Sequence, residues 1–183
     1  MAEGEKEESR EEEMGATVYL NGELTEENKN EFLSVLDQLY LEGMKLDRLK
    51  IIIDSPGGSI KNAWAIADRL ERLKVQGLKL EALVEGVAAS SATIVLLTCD
   101  ERKITSHSRI GIHLPALPPL DSDLDEKLAK EILTTLKDLK IQLATLTAEK
   151  TGQKLKTVLR DMKKERDFNA QQAVAYGFVH EII

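Results

Sequence analysis

One cysteine is all the thiol chemistry this chain possesses. Cys99 lies inside an apolar segment, has no partner for an intrachain disulfide and no neighbour at metal-ligand spacing, which excludes a disulfide scaffold and fits a reducing compartment. No stretch reaches the roughly 20 uninterrupted apolar residues of a membrane helix. The N-terminus also lacks the basic-then-apolar order of a signal peptide. A soluble, cytoplasmic protein with no membrane partner is expected. Aromatic residues make up only 4% of the chain, and lysine and arginine concentrate nowhere, so nucleic acid is not an expected partner. There is no phosphate-binding GxxxxGK[ST] loop and no ligand cluster, so no cofactor or metal is expected in this chain.

Charge is unevenly spent. Residues 1–14, MAEGEKEESREEEM, hold seven glutamates against one lysine and one arginine, a net −5 out of −7 for all 183 residues. An acidic, aromatic-free run cannot bury enough surface to offset the entropy of ordering, so 1–14 is read as a disordered tail and 15–183 as the single folded domain. With 42% apolar content, that body has enough material for one core.

Within the body, strand and helix patterns alternate. TVYLNG (17–22) alternates like a strand, and Thr25 offers a cap to a helix with Phe32, Val35, Leu36 and Leu39 on one face. LKIIID (49–54) is the continuous β-branched run of a strand covered on both sides. SPGGS breaks it, and a second helix follows with Ile60, Trp64, Ala67 and Leu70 on one stripe. A strand over 80–84, a small-residue turn and an apolar helix over about 89–98 repeat the pattern. This ββαβα-type alternation with right-handed crossovers predicts an α/β domain. Two short strands, ERKIT and RIGIH, then lead into the proline-rich loop LPALPPL.

Asp121, Ser122 and Asp123 offer caps to the longest helix, about 124–150. Positions 132, 136, 139, 143 and 146 form a coiled-coil-like seam, while Leu133 and Ile141 are apolar off that seam. A helix apolar beyond one face and longer than its domain needs calls for a partner. A short helix (170–176), Gly177 and the strand FVHEII close the chain.

EGVAASSATIVLL (85–97) sets two hydroxyls, Ser90 and Ser91, at the mouth of a segment otherwise built for burial. A helix cap accounts for one of them. SPGG, directly after a buried strand, is suited to aim backbone N–H groups at a developing negative charge. His113, closing RIGIH, is a natural base for a serine, whereas His107 and His180 sit in contexts that read as exposed. The three features together point towards acyl transfer.

IIIDSPGGSI, GVAASSAT, SRIGIHLP, TAEKTGQ and NAQQAVAYGFVHEII resemble, in order and spacing, segments of the ClpP family, the proteolytic subunits of the Clp protease. The resemblance spans about Thr17 to Ile183. It implies a ClpP/crotonase-like fold of stacked ββα units and a serine endopeptidase acting inside a self-compartmentalised oligomer. It places Ser90 as nucleophile, His113 as base, and the amides of Gly58 and Ser91 as the oxyanion hole. The long helix resembles the family's handle, and two stacked heptameric rings are implied as the homo-oligomer. Peptides or unfolded proteins would be the substrates, and an AAA+ Clp ATPase would be the partner that supplies ATP hydrolysis.

The third catalytic position is left between two residues. The family has an aspartate four residues before the serine that caps its last short helix; with Asn169 at that cap the resemblance implies Glu165, and with a local shift Asp167. SSAT stands where the family has SMGA, and ALPPL replaces a glycine-rich stretch, so its prolines predict weaker strand addition by a substrate. Three alternatives stay open: a catalytically silent ring subunit regulating an active paralogue, acyl-CoA chemistry on the crotonase-like fold, and a serine–lysine dyad.

Overall fold

The computed structural model describes residues 14–41, 46–116 and 125–183. Its elements are β1 (Gly15–Leu24), α1 (Glu26–Leu41), β2 (Arg48–Gly58), α2 (Ile60–Val75), β3 (Lys79–Ala89), α3 (Ala92–Thr98), β4 (Glu101–Ile104) and β5 (Arg109–Gly111), followed by α4 (Glu126–Thr151), α5 (Leu155–Lys163), β6 (Asp167–Asn169), α6 (Ala170–Tyr176) and β7 (Glu181–Ile182). The molecule is the expected α/β type.

Strands run in the order β1-β2-β3-β4-β7, every neighbouring pair parallel. Parallel neighbours require crossovers, and helices supply them, so the middle strands are covered on both faces. In β2, Leu49, Ile51 and Ile53 are wholly buried and Ile52 nearly so, which is why that run shows no polar alternation. The three long strands are also longer than the sequence patterns predict. β1 shifts register between Asn21 and Glu23 and β2 between Ile53 and Ser55, while β3 pairs with β4 over its first half and with β5 over its second. Each therefore acts as two strand segments followed by a helix, which is the ββα unit. The second segments, ending at Leu24, Gly58 and Ala89, reach the carboxyl edge of the sheet.

The helix starts follow local chemistry. Thr25 Oγ1 accepts a hydrogen bond from Asn28 N at 3.1 Å, as its position predicts. Ser59 caps α2 by accepting from Asn62 N. The buried row of α2 is Ala63, Ile66, Ala67, Leu70 and Leu73, so Ile60 and Trp64 of the expected stripe lie at its half-buried margin. Asp125 caps α4, accepting from Leu128 N at 2.7 Å; the expected caps Asp121, Ser122 and Asp123 lie outside the described residues. Of the acidic segment 1–14, only Met14 is described, and its backbone N–H donates to Asp47. The C-terminal strand is shorter than FVHEII suggests: Phe178 and Val179 are buried core residues ahead of the two-residue β7.

Only Leu143, Ala144 and Thr147 of α4 are buried, all in its last third. Residues 126–142 extend about 25 Å beyond that root at 1.5 Å per residue. Arg102, itself buried, ties the root to the sheet by donating to the carbonyls of Lys150, Cys99 and Phe178. Among the described residues no helix is long and apolar enough to cross a membrane.

Candidate active site

The SPGG turn at the end of β2 is held by its own serine, whose role no local pattern marks. Ser55, wholly buried, donates to the carbonyl of Gly22 at 2.6 Å and accepts from Gly57 N at 3.2 Å. Gly57, at φ +94°, presses against the next strand's end: a Cβ there would sit 2.6 Å from the carbonyl oxygen of Ala89 and 2.7 Å from Ser90 Cβ. No other residue fits that approach. Gly58 follows at φ +142°, with a Cβ similarly blocked by Leu24 N at 2.8 Å.

Against this turn sits Ser90, between β3 and α3, at φ +54°. A non-glycine residue in that region costs about 1–3 kcal/mol and persists only where its surroundings hold it. Here they hold it on both sides. Its N–H donates to the carbonyl of Gly111 at 2.8 Å, and its own carbonyl accepts from Thr93 N at 3.1 Å and Thr93 Oγ1 at 2.6 Å. The helix was expected from about 89, but β3 runs to Ala89 and the two serines form a sharp strand-to-helix turn. Such a turn presents a side chain rather than capping with it.

Ser91 occupies the cap position of α3, yet its side chain makes no cap hydrogen bond. Buried, it donates instead to the carbonyl of Gly58 at 3.0 Å. That bond locks the start of α3 to the SPGG turn and fixes the spacing between residues 58 and 91. The sequence offers an amide role for Ser91; the contact of its hydroxyl with Gly58 leaves no local trace there.

His113 lies two residues past β5 and is partly buried. Its Nδ1 is 2.6 Å from the carbonyl oxygen of Leu114. A carbonyl only accepts, so Nδ1 carries the proton and Nε2 of the neutral ring keeps its lone pair. Ser90, His113 and Gly58 all line one cleft of ≈ 330 Å³, whose walls include Ile60, Thr93, Ile112, Leu143, Thr147 and Met162. No lysine is among its described lining residues.

Neither rival carboxylate hydrogen-bonds His113. Asp167 pairs with Arg109 Nε at 2.5 Å, both side chains about half exposed. Glu165 is exposed, at φ +50°, in the turn after α5, with its N–H donating to the carbonyl of Met162. Antiparallel pairing of β5 with β6 sets Ile110 opposite Phe168 and Gly111 opposite Asp167. Ile112 N donates to the carbonyl of Arg166 at 2.9 Å, carrying the ladder one step further. The pairing stops there: Glu165 precedes it, in the turn, and His113 follows it.

A buried carboxylate with no counterpart in the sequence reading supports that turn. Asp161 accepts from Arg160 Nε at 3.0 Å, Tyr176 Oη at 3.2 Å and Arg166 Nη1 at 3.3 Å. Burial pushes its carboxyl up, but the hydrogen bonds and charges of Arg160, Tyr176 and Arg166 outweigh it and hold the group below its ordinary value. The Arg166 guanidinium lies 4.5 Å over the Phe168 ring, inside an aromatic cluster with Tyr176 and Phe178. In sequence, Asp161 sits in RDMKKERD and reads as one charge on a solvated face.

The second histidine, His107, is exposed; the third, His180, is also exposed and accepts through Nδ1 from Arg102 N at 3.3 Å. Cys99 is buried, its thiol pushed up to about 12 by desolvation, and so is inert. Among the described residues no cluster of three His, Cys, Asp or Glu could hold a metal ion.

A sequence profile described as Clp protease matches residues 10–183. The chain is 30% identical over 168 residues to the ATP-dependent Clp protease proteolytic subunit 2 of Bifidobacterium longum, covering 91% of this chain and 78% of that one. It is 33% identical over 169 residues to the protein of the same name from Chlamydia trachomatis serovar D, covering 91% and 79%. Against the ATP-dependent Clp protease proteolytic subunit of Chlorella vulgaris the identity is 30% over 171 residues, covering 90% and 80%.

Proposed function

The chain belongs to the Clp protease family, a family of peptidases, and on that premise we propose that it is a serine endopeptidase with Ser90 as nucleophile and His113 as base. One observation carries the reading: Ser90, His113 and Gly58 line a single cleft, and Ser90 is held in a strained turn that presents its side chain. Ser90 Oγ attacks the carbonyl carbon of a peptide bond as His113 Nε2 takes its proton. The tetrahedral oxygen is stabilised by the amides of Gly58 and Ser91, whose spacing the Ser91–Gly58 hydrogen bond sets. His113 returns the proton to the leaving amine, and water repeats the sequence on the acyl-enzyme.

Glu165 is the better candidate to complete the triad. It lies four residues before the cap Asn169, as the family pattern asks, and directly before Arg166, whose carbonyl meets Ile112 N, whereas Asp167 is committed to Arg109. The chain acts as a homo-oligomer of rings, α4 being the part offered to a second copy, on peptides or unfolded proteins. Larger folded substrates need an AAA+ ATPase, since ATP chemistry is not read in this sequence. A fluorophosphonate probe forms an adduct at Ser90 in the assembled protein, and peptide hydrolysis disappears in Ser90→Ala. Absence of the adduct overturns the reading.

A second reading draws on the same geometry. With no described carboxylate hydrogen-bonded to His113, whose Nδ1 meets a main-chain carbonyl, the chain would be a silent ring subunit that regulates an active paralogue. Turnover by the purified homo-oligomer, lost in Ser90→Ala, excludes it.

A further inference from the structure

One fixed charge lines the cleft among the described residues: Glu23. Every other described lining residue is uncharged or is His113. Glu23 lies just past the register shift in β1, opposite Gly57. Its main chain is clamped, the carbonyl accepting from Thr25 N at 2.8 Å and from Asn28 Nδ2 at 2.7 Å. Its Cγ lies 2.9 Å from the point where a Cβ on Gly58 would be, so its aliphatic stem runs along the residue assigned an oxyanion amide. The side chain is exposed, and no ion pair is formed with it among the described residues.

A carboxylate in this place works against the reaction beside it. Fixed negative charge opposes charge growing on a tetrahedral oxygen. A substrate that carries its own cation to this rim removes the conflict at the moment the oxyanion forms.

We propose that Glu23 is a specificity-determining residue: its carboxylate receives a lysine or arginine side chain of the peptide flanking the scissile bond and rejects an acidic one there. The proposal rests on the serine-peptidase reading. Ile60, Ile112, Leu143 and Met162 supply the apolar remainder of the cleft, so the substrate class is a peptide with an apolar and a basic residue close together at the cut. Because the Glu23 side chain is exposed, the pair stays partly solvated, and it discriminates by favouring a cation and opposing an anion at the same place.

The test uses matched fluorogenic peptides carrying lysine or glutamate at each of three positions on either side of an apolar residue. Their kcat/KM values are measured with the wild-type oligomer, Glu23→Gln and Glu23→Lys. At one position, the lysine-to-glutamate ratio is about tenfold or more in the wild type, near one in Glu23→Gln and below one in Glu23→Lys. The wild-type ratio shrinks as salt is raised. Binding of the same peptides to Ser90→Ala, read by fluorescence anisotropy with and without Glu23→Lys, gives a second measure that needs no turnover. Ratios unchanged across the three forms overturn the proposal and leave the peptidase reading standing. A lysine preference in binding that Glu23→Lys abolishes, without wild-type hydrolysis, keeps the Glu23 site and overturns the peptidase. Neither binding nor hydrolysis overturns both. If Glu23→Lys does not fold, Glu23→Gln alone decides.

Discussion

Ser91 makes a hydroxyl contact 33 residues away in the chain, and that contact is open to a direct test. Ser91→Ala leaves the main-chain amide in place but frees the Gly58 carbonyl, at a cost of about 1 kcal/mol in stability. The greater effect is on rate. With the two oxyanion donors no longer locked together, kcat falls about tenfold or more while KM changes little, as steady-state kinetics on a short peptide will register. The triad rivals separate by the same measurement. Glu165→Gln lowers kcat about 10- to 100-fold, less than a triad without any other Nδ1 acceptor would lose, because the Leu114 carbonyl still accepts a hydrogen bond from Nδ1. Asp167→Asn changes it less than about threefold, since it removes only an exposed pair with Arg109. A larger loss in Asp167→Asn reverses the assignment. That Ser90, His113 and the SPGG turn belong to one cleft could be anticipated from small residues, a strand end and paired glycines, while the choice of Gly58 within the turn came from the family resemblance. Ser55, Thr93 and the hydroxyl of Ser91 were not legible, since their roles lie in hydrogen bonds to backbone that no local pattern announces.

The element most exposed to a single change is the turn from α5 into β6, and Asp161 holds it. Asp161→Asn removes the charge that Arg166 and Arg160 share and weakens three hydrogen bonds; since both arginines keep contact with solvent, the loss is about 1–2 kcal/mol at neutral pH. Because the folded-state pKa of Asp161 is held below its ordinary value, its contribution is fully present above the unfolded value, near 3.8, and is lost as pH falls through the lower folded value. The difference in denaturation midpoint between wild type and Asp161→Asn should therefore be large at pH 7 and shrink below about pH 4. A pH-independent difference refutes the assignment. The α/β alternation was readable because buried parallel strands and capped helices each leave a periodic trace. Neither α5 nor β6 was, since LKTVLRDMK is nine residues with four charges and β6 spans three residues. The stripe on α2 was read one position around the helix, which left Ile60 and Trp64 at the margin.

At the scale of the molecule, α4 is anchored by one end only. Leu133 and Ile141 on its outer part are about half exposed, as expected of a helix that needs a partner, and Trp64 lies beside Ile141 in a shallow apolar groove. A Leu133→Lys, Ile141→Lys double variant should keep its far-ultraviolet circular dichroism and lose mass in analytical ultracentrifugation. Unchanged mass would show that this face carries no assembly contact. The anchored end has a further consequence. Leu143 and Thr147, two of the three buried residues of α4, are also walls of the cleft that holds Ser90 and His113. The seat of the helix is thus also part of the pocket's lining, so a substitution at Leu143 or Thr147 alters how α4 is rooted and what a bound peptide touches in one stroke.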